Sequence, residues 1–137
     1  MDWITDEIAI GNYLDAKDRD LLLRERVKSI LALTRDSEGV SPETLGLIAI
    51  EVVPLDDAPT NDARLFGRAL DSLARLVHDA GPVLVHCHAG RSRSVVVVAG
   101  YLMRVLGIGA DEALARVAQK REVAVTEGLE RLLDSIV

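Results

Sequence analysis

One segment of nine residues constrains this chain more than any other. It reads His-Cys-His-Ala-Gly-Arg-Ser-Arg-Ser over positions 86–94, and we call it the signature loop. The apolar run 83–85 precedes it, and a second apolar run, 95–103, follows it. A strand, a tight loop and a helix in that order commonly bind anions, because a helix begins with unpaired backbone N–H groups. The segment therefore predicts an anion site between a strand and a helix.

The signature loop contains the only cysteine of the chain, Cys87, and five residues separate it from Arg93. The backbone N–H groups of residues 88–93 are expected to surround a phosphate, and Gly90 suits a backbone that approaches an anion closely. The fork of Arg93 matches two phosphate oxygens at once. Helix N-termini and cations lower the pKa of a thiol, so Cys87 is expected to be a thiolate and a nucleophile.

The sequence indicates less specific roles for the residues around the cysteine. Ser94 is expected to donate its hydroxyl to the sulfur, and His86 to brace the loop through its ring nitrogens. His88 and Arg91 are equally compatible with a role at the site and with simple exposure. An isolated cysteine is often a small buried apolar residue, but the coincidence of His, Gly, Arg and Ser around this one favours chemistry.

The signature loop resembles that of the dual specificity phosphatases of the protein tyrosine phosphatase superfamily, which typically reads His-Cys-x-Ala-Gly-x-Ser-Arg-Ser. Every fixed position of that pattern is present. Segments 8–16, 27–33 and 53–57 are also similar to parts of these phosphatases, so the resemblance covers nearly the whole chain. Rhodanese-type sulfur transferases usually have one residue fewer between Cys and Arg, which disfavours that alternative.

The resemblance implies a role for each matched residue. Cys87 would attack phosphorus and form a phosphocysteine intermediate, and Arg93 would bind the phosphate and stabilise the transition state. Ser94 would assist departure of the thiolate, and Asp57 would protonate the leaving oxygen and then activate water. No metal ion or cofactor is implied. The residues that would surround the phosphate are His88, Ala89, Gly90, Arg91, Ser92 and Arg93.

Two points stay open in this comparison. The acid is assigned to Asp57, which matches the family position better as the second of the pair after the apolar strand, with Asp56 as the alternate; Asp62 is expected to begin a helix. Residues 56–62 predict a loop from their turn chemistry. The family often has a Pro-Asn-x-Gly-Phe-like segment before its last helix, whereas residues 125–129 read Val-Thr-Glu-Gly-Leu. The missing asparagine predicts the loss of one support of the signature loop.

The alternation of strands and helices predicts an α/β fold. Strands are expected at 7–10, 27–33, 47–53 and 83–86, and helices at 15–26 with Asp15 as cap, 61–80, 95–103, 111–121 and 127–136. The run of four valines at 95–98 favours a strand locally, but the loop chemistry needs a helix there. The resemblance implies a central, mostly parallel sheet of four or five strands flanked by helices, several of them on one face.

Composition limits the classes of protein. The 137 residues are 49% hydrophobic and 28% charged with a net charge of −6, which predicts one folded domain over 1–137 and disfavours nucleic-acid binding. The resemblance implies that this domain is catalytic. We see no signal peptide and no apolar run long enough to span a bilayer, so no stable membrane association is expected. A single cysteine allows no internal disulfide, which fits the cytoplasm. The oligomeric state stays open.

Three functions follow from this sequence. The first is a protein phosphatase that hydrolyses phosphotyrosine and phosphoserine or phosphothreonine, its partners being phosphorylated proteins or peptides. The second is a phosphatase of phosphoinositides or other small molecules, with Arg91 and His88 on a second phosphate. The third is a phosphate-binding module without turnover. Among other conspicuous residues, simple packing is expected for Trp3 and Tyr13, and solvent exposure for His78, Lys120 and Arg121.

Overall fold

The computed structural model describes residues 1–136 as a five-stranded sheet with helices on both faces. The strands follow the order β1-β2-β5-β3-β4, and only β1 is antiparallel to its neighbour. The predicted mostly parallel α/β sheet is confirmed, and β1 is an addition that its two residues did not indicate. The bounds are β1 Asp2–Trp3, β2 Ile8–Gly11, β3 Ser29–Ala32, β4 Ala49–Val52 and β5 Val83–His86.

In the described range 1–136, four α-helices and four 3₁₀ turns connect and cover the strands. The valine run is helical, as the loop chemistry required, because Val95–Val98 are all buried and this burial outweighs their preference for strand. The helices are α1 Arg19–Arg24, α2 Ala63–Ala80, α3 Arg93–Leu106 and α4 Ala110–Ala118. The 3₁₀ turns are Asp15–Lys17, Arg35–Ser37, Pro42–Leu45 and Leu129–Ser135.

Two predicted helices are wrong in form. The segment 15–26 is interrupted, because Asp18 rather than Asp15 caps α1 by accepting a hydrogen bond from the N–H of Leu21 at 3.1 Å. Asp15 instead accepts one from the N–H of Asn12 at 3.0 Å and so closes the turn after β2. Within the segment 127–136, only Leu129–Ser135 are helical, and they form a 3₁₀ turn that buries Leu129, Leu132 and Leu133.

The two faces of the sheet bury different sets of side chains. The larger core contains most of the buried side chains of α2 and α3 and those of the last 3₁₀ turn. The smaller core lies on the opposite face and contains Leu22 of α1. Trp3 packs, partly buried, against the smaller core, as predicted.

The sheet also determines where chemistry is possible. The carboxyl ends of the parallel strands β2, β3, β4 and β5 meet at one edge, which is where open α/β sheets place their ligands. The signature loop follows β5, the central strand, and leads directly into α3. Within residues 1–136, none of the helices is both long and apolar enough to cross a membrane.

Candidate active site

Cys87 lies at the floor of the site and is 2% exposed. Burial by itself raises the pKa of its thiol. The Ser94 hydroxyl, 3.3 Å from the sulfur, and the backbone N–H groups of Ser94, Gly90 and Ser92 oppose that effect. These hydrogen bonds prevail, so the pKa of Cys87 lies below its ordinary value. A buried thiol with converging donors is the environment that favours a thiolate.

The backbone carbonyls of the signature loop point away from the site. Four consecutive carbonyls accept hydrogen bonds from residues outside the loop. In a planar trans peptide the N–H points opposite to the carbonyl, so the N–H groups of residues 89–92 face the sulfur side. The pairs are His88 O with Tyr13 N at 3.0 Å, Ala89 O with Arg121 Nη2 at 3.3 Å, Gly90 O with Arg121 Nε at 2.7 Å, and Arg91 O with Ala124 N at 2.8 Å.

Only glycine fits at position 90. Gly90 has a φ of +71°, a conformation that side chains disfavour. A Cβ there would overlap the carbonyl oxygen of Gly11 and lie 2.7 Å from Nη2 of Arg121. The loop is therefore folded tightly between the end of β2 and the guanidinium of Arg121.

Among residues 1–136, one nitrogen of the Arg93 guanidinium is hydrogen-bonded and another is unpaired. Its Nη1 donates to the carbonyl oxygen of Leu55 at 3.1 Å. Its Nε is buried and has no hydrogen-bond partner among residues 1–136. Because an unpaired buried donor is costly, this N–H is suited to an anionic oxygen entering the site.

His86 is fully buried below the loop, at the end of β5. Burial lowers its pKa, which favours the neutral ring. Its Nδ1–H then donates to the carbonyl oxygen of Cys87 at 3.1 Å, and its Nε2 accepts from the hydroxyl of Ser37 at 3.3 Å. Both ring nitrogens form hydrogen bonds, so His86 supports the signature loop from below.

A cleft of about 310 Å³ opens above the sulfur. Asp57 lines it, whereas Asp56 does not, which separates the two adjacent aspartates. Asp62 caps α2 by accepting from the N–H of Arg64 at 2.8 Å, so the predicted helix start is correct. The lining residues are Asp57, Cys87, His88, Ala89, Arg91, Ser92, Arg93 and Ala124.

Sequence reasoning missed three neighbours of the signature loop. Arg121 was expected to be solvated, but its side chain is 11% exposed and clamps two loop carbonyls while pairing with Asp2 at 2.8 Å. Tyr13 was expected to pack simply, but its ring stacks on His88 with 4.5 Å between centroids. Thr126 contacts the loop through Ser92. Only the resemblance, which singled out residues 125–129 as a departure, pointed near any of them.

Residues 9–134 match the model of the dual specificity phosphatase catalytic domain. The chain belongs to the dual specificity phosphatase family. Its predicted membership of that family, inferred from the signature loop, is confirmed.

Individual dual specificity phosphatases show how far the likeness extends. Dual specificity protein phosphatase 1 of Arabidopsis thaliana is 32% identical over 84% of this chain and 57% of its own length. Dual specificity protein phosphatase 22-B of Danio rerio is 33% identical over 86% of this chain and 63% of its own length. The chain thus spans about 60% of each of these relatives. The crystal structure of human DUSP28 superposes with a TM-score of 0.85 at 25% identity, covering 99% of this chain and 94% of that one.

Proposed function

We propose that this chain, acting as a single catalytic domain over residues 1–137, hydrolyses phosphate monoesters on protein side chains. The single observation that carries the proposal is a buried thiol of lowered pKa beneath inward-facing N–H groups. The proposed mechanism uses a phosphocysteine intermediate and needs no metal ion or cofactor.

The first proposed step transfers the phosphoryl group to sulfur. The phosphate would accept hydrogen bonds from the N–H groups of residues 88–93 and from Arg93, whose Nε is an unpaired buried donor. The Cys87 thiolate attacks phosphorus, an S–P bond forms and the P–O bond to the substrate breaks. Asp57 gives its proton to the departing oxygen, which leaves as an alcohol or phenol.

The second proposed step releases inorganic phosphate. The Asp57 carboxylate takes a proton from water, whose oxygen attacks phosphorus while the S–P bond breaks. The electron pair of that bond returns to sulfur as a thiolate. Ser94, with its hydroxyl 3.3 Å from the sulfur, stabilises this leaving group.

The substrates are proposed to be phosphotyrosine and phosphoserine or phosphothreonine in proteins. The names of the relatives support dual specificity, and the resemblance to that family implies a shallow cleft. The net charge of −6 argues against nucleic acid and anionic membrane surfaces as partners. A catalytic thiol must stay reduced, so we propose that the protein works in the cytoplasm.

The test is hydrolysis of a matched panel by the wild type and by Cys87→Ser. We expect the wild type to dephosphorylate phosphotyrosine and phosphothreonine peptides and the variant to retain tungstate binding without turnover. Unchanged hydrolysis by the variant would refute the nucleophile. A strong preference for inositol phosphates or phosphoinositides over the peptides would refute the substrate class. Tungstate binding without any hydrolysis by the wild type would indicate a binding module.

A further inference from the structure

One hydroxyl outside the signature loop contacts the proposed acid. The Thr126 hydroxyl donates to Oδ1 of Asp57 at 2.8 Å, and the Thr126 N–H donates to the hydroxyl oxygen of Ser92 at 2.9 Å. Ser92 donates its own hydroxyl hydrogen to the same Oδ1 at 2.7 Å. The three residues therefore form a closed hydrogen-bonded triangle.

The triangle joins three segments that are distant in sequence. Thr126 lies 69 positions from Asp57 and 34 from Ser92. Asp57 itself is exposed and lies in the loop after β4, where turn residues allow several backbone conformations. Without the two hydroxyls, its carboxylate would be free to rotate about both side-chain torsions. The triangle restricts this rotation. Efficient proton transfer usually requires a donor that is held in a fixed orientation.

The two hydroxyls also distinguish the two carboxylate oxygens. Both donate to Oδ1, and no donor in residues 1–136 forms a hydrogen bond with Oδ2. A proton on Oδ1 would compete with both donors, whereas a proton on Oδ2 disturbs neither. The oxygen that remains available to protonate a leaving group is therefore Oδ2.

We propose that Thr126 is a positioning residue that holds Asp57 at the rim of the cleft with Oδ2 carrying the transferred proton. The inference rests on the proposed role of Asp57 as general acid. It also revises the expectation drawn from residues 125–129. Thr126 occupies the place of the missing asparagine and supports the loop through its backbone and the acid through its hydroxyl.

The test uses the dependence of rate on the leaving group. A poor leaving group, such as phenol from phenyl phosphate, needs the proton, whereas p-nitrophenol departs readily as an anion. Thr126→Val removes the hydroxyl with almost no change of shape and keeps the N–H that bonds Ser92. We expect kcat/KM for phenyl phosphate to fall about tenfold, a fraction of the 10²–10⁴ that general acid catalysis supplies. The value for p-nitrophenyl phosphate should change less than about twofold.

Thr126→Ser is the matched control, because it restores the hydroxyl and should restore the phenyl phosphate rate. Equal losses on both substrates, or no loss on either, would overturn the positioning role. If Thr126→Val does not fold, Thr126→Ala removes the same hydroxyl and is subject to the same two criteria.

Asp57→Asn distinguishes failure of this inference from failure of the proposed mechanism. If Asp57 is the acid, this variant loses the phenyl phosphate rate, and adding Thr126→Val to it causes no further loss. A further loss in the double variant would overturn the action of Thr126 through Asp57. If Asp57→Asn leaves phenyl phosphate hydrolysis unchanged, the acid of the proposed mechanism is wrong, and the role of Thr126 is refuted with it.

Discussion

Replacing Ser94 with alanine tests what stabilises the thiolate. Ser94 is fully buried, and its hydroxyl lies 3.3 Å from the sulfur of Cys87. Alanine keeps the backbone N–H of residue 94 and is smaller than serine, so the variant loses one donor without steric conflict. The N–H groups of Gly90 and Ser92 continue to oppose the effect of burial on the pKa of the thiol.

The expected size follows from the energy of one hydrogen bond to a charged group. Such a bond contributes about 1.5 kcal/mol at the lower end of its range, which suits a large and diffuse acceptor such as sulfur. About 1.4 kcal/mol corresponds to a factor of ten, so the thiolate fraction of Ser94→Ala should fall about tenfold at any pH below both pKa values. The pKa of Cys87 in the variant is thus expected to rise.

The assay is the rate of iodoacetate alkylation across a pH series. Cys87 is the only cysteine, so labelling reports this thiol alone. The titration curve of Ser94→Ala should lie at higher pH than that of the wild type, with a slightly higher plateau because a more basic thiolate is intrinsically more nucleophilic. Superimposed curves would refute the contribution of the hydroxyl and leave thiolate stabilisation to the backbone donors.

Two further predictions concern the supports of the signature loop. Arg121→Lys should weaken competitive inhibition by tungstate about fivefold. The guanidinium contacts two loop carbonyls, and a single ammonium is expected to lose one of these hydrogen bonds, which is worth roughly 1 kcal/mol. Asp2→Asn, which alters only the ion pair of Arg121, is the control, and an equal effect of both variants would contradict the clamp. Burial lowers the pKa of His86, so the unfolded chain binds the proton first as the pH falls. The free energy of unfolding should therefore be highest above about pH 6.5 and decline below it, by at most about 1.4 kcal/mol per pH unit for this group. Urea unfolding between pH 5 and 7 measures this slope, and an unchanged slope in His86→Asn would show that His86 is not its source.

The site divides into a part visible in local sequence and a part that is not. Cys87, Gly90, Arg93 and Ser94 are close together in the chain, so their spacing alone indicates a phosphate site. The assignment of Asp57 relied on its match to the family position, the second of the pair after an apolar strand, and the sequence left Asp56 open. Only the fold distinguishes them, because which of two adjacent side chains faces the cleft depends on the path of the loop after β4.

The helices and strands also divide into features that the local sequence indicates and features that it does not. The four valines 95–98 favour a strand by local preference, and only the requirement for a helix N-terminus beside the loop predicted otherwise. The sequence predicts Asp15 as a cap, but Asp15 is occupied by the turn after β2, and Asp18 caps α1 instead. Local preference is weak compared with burial and with competing hydrogen bonds, so such choices are decided by tertiary contacts.

From its sequence alone, this protein had a determined family and a thiol in a loop whose N–H groups were expected to face an anion, because both depend on residues adjacent in the chain. The mostly parallel α/β sheet was implied by the resemblance to that family. The tertiary structure decided which groups orient that loop and position the proposed acid. Arg121 contacts the carbonyls of residues 89 and 90, and Thr126 contacts Asp57. These contacts join positions 31 to 69 residues apart. A pairing at such separation leaves no periodicity or spacing in the sequence, since it depends on the folded path of every element between the two partners.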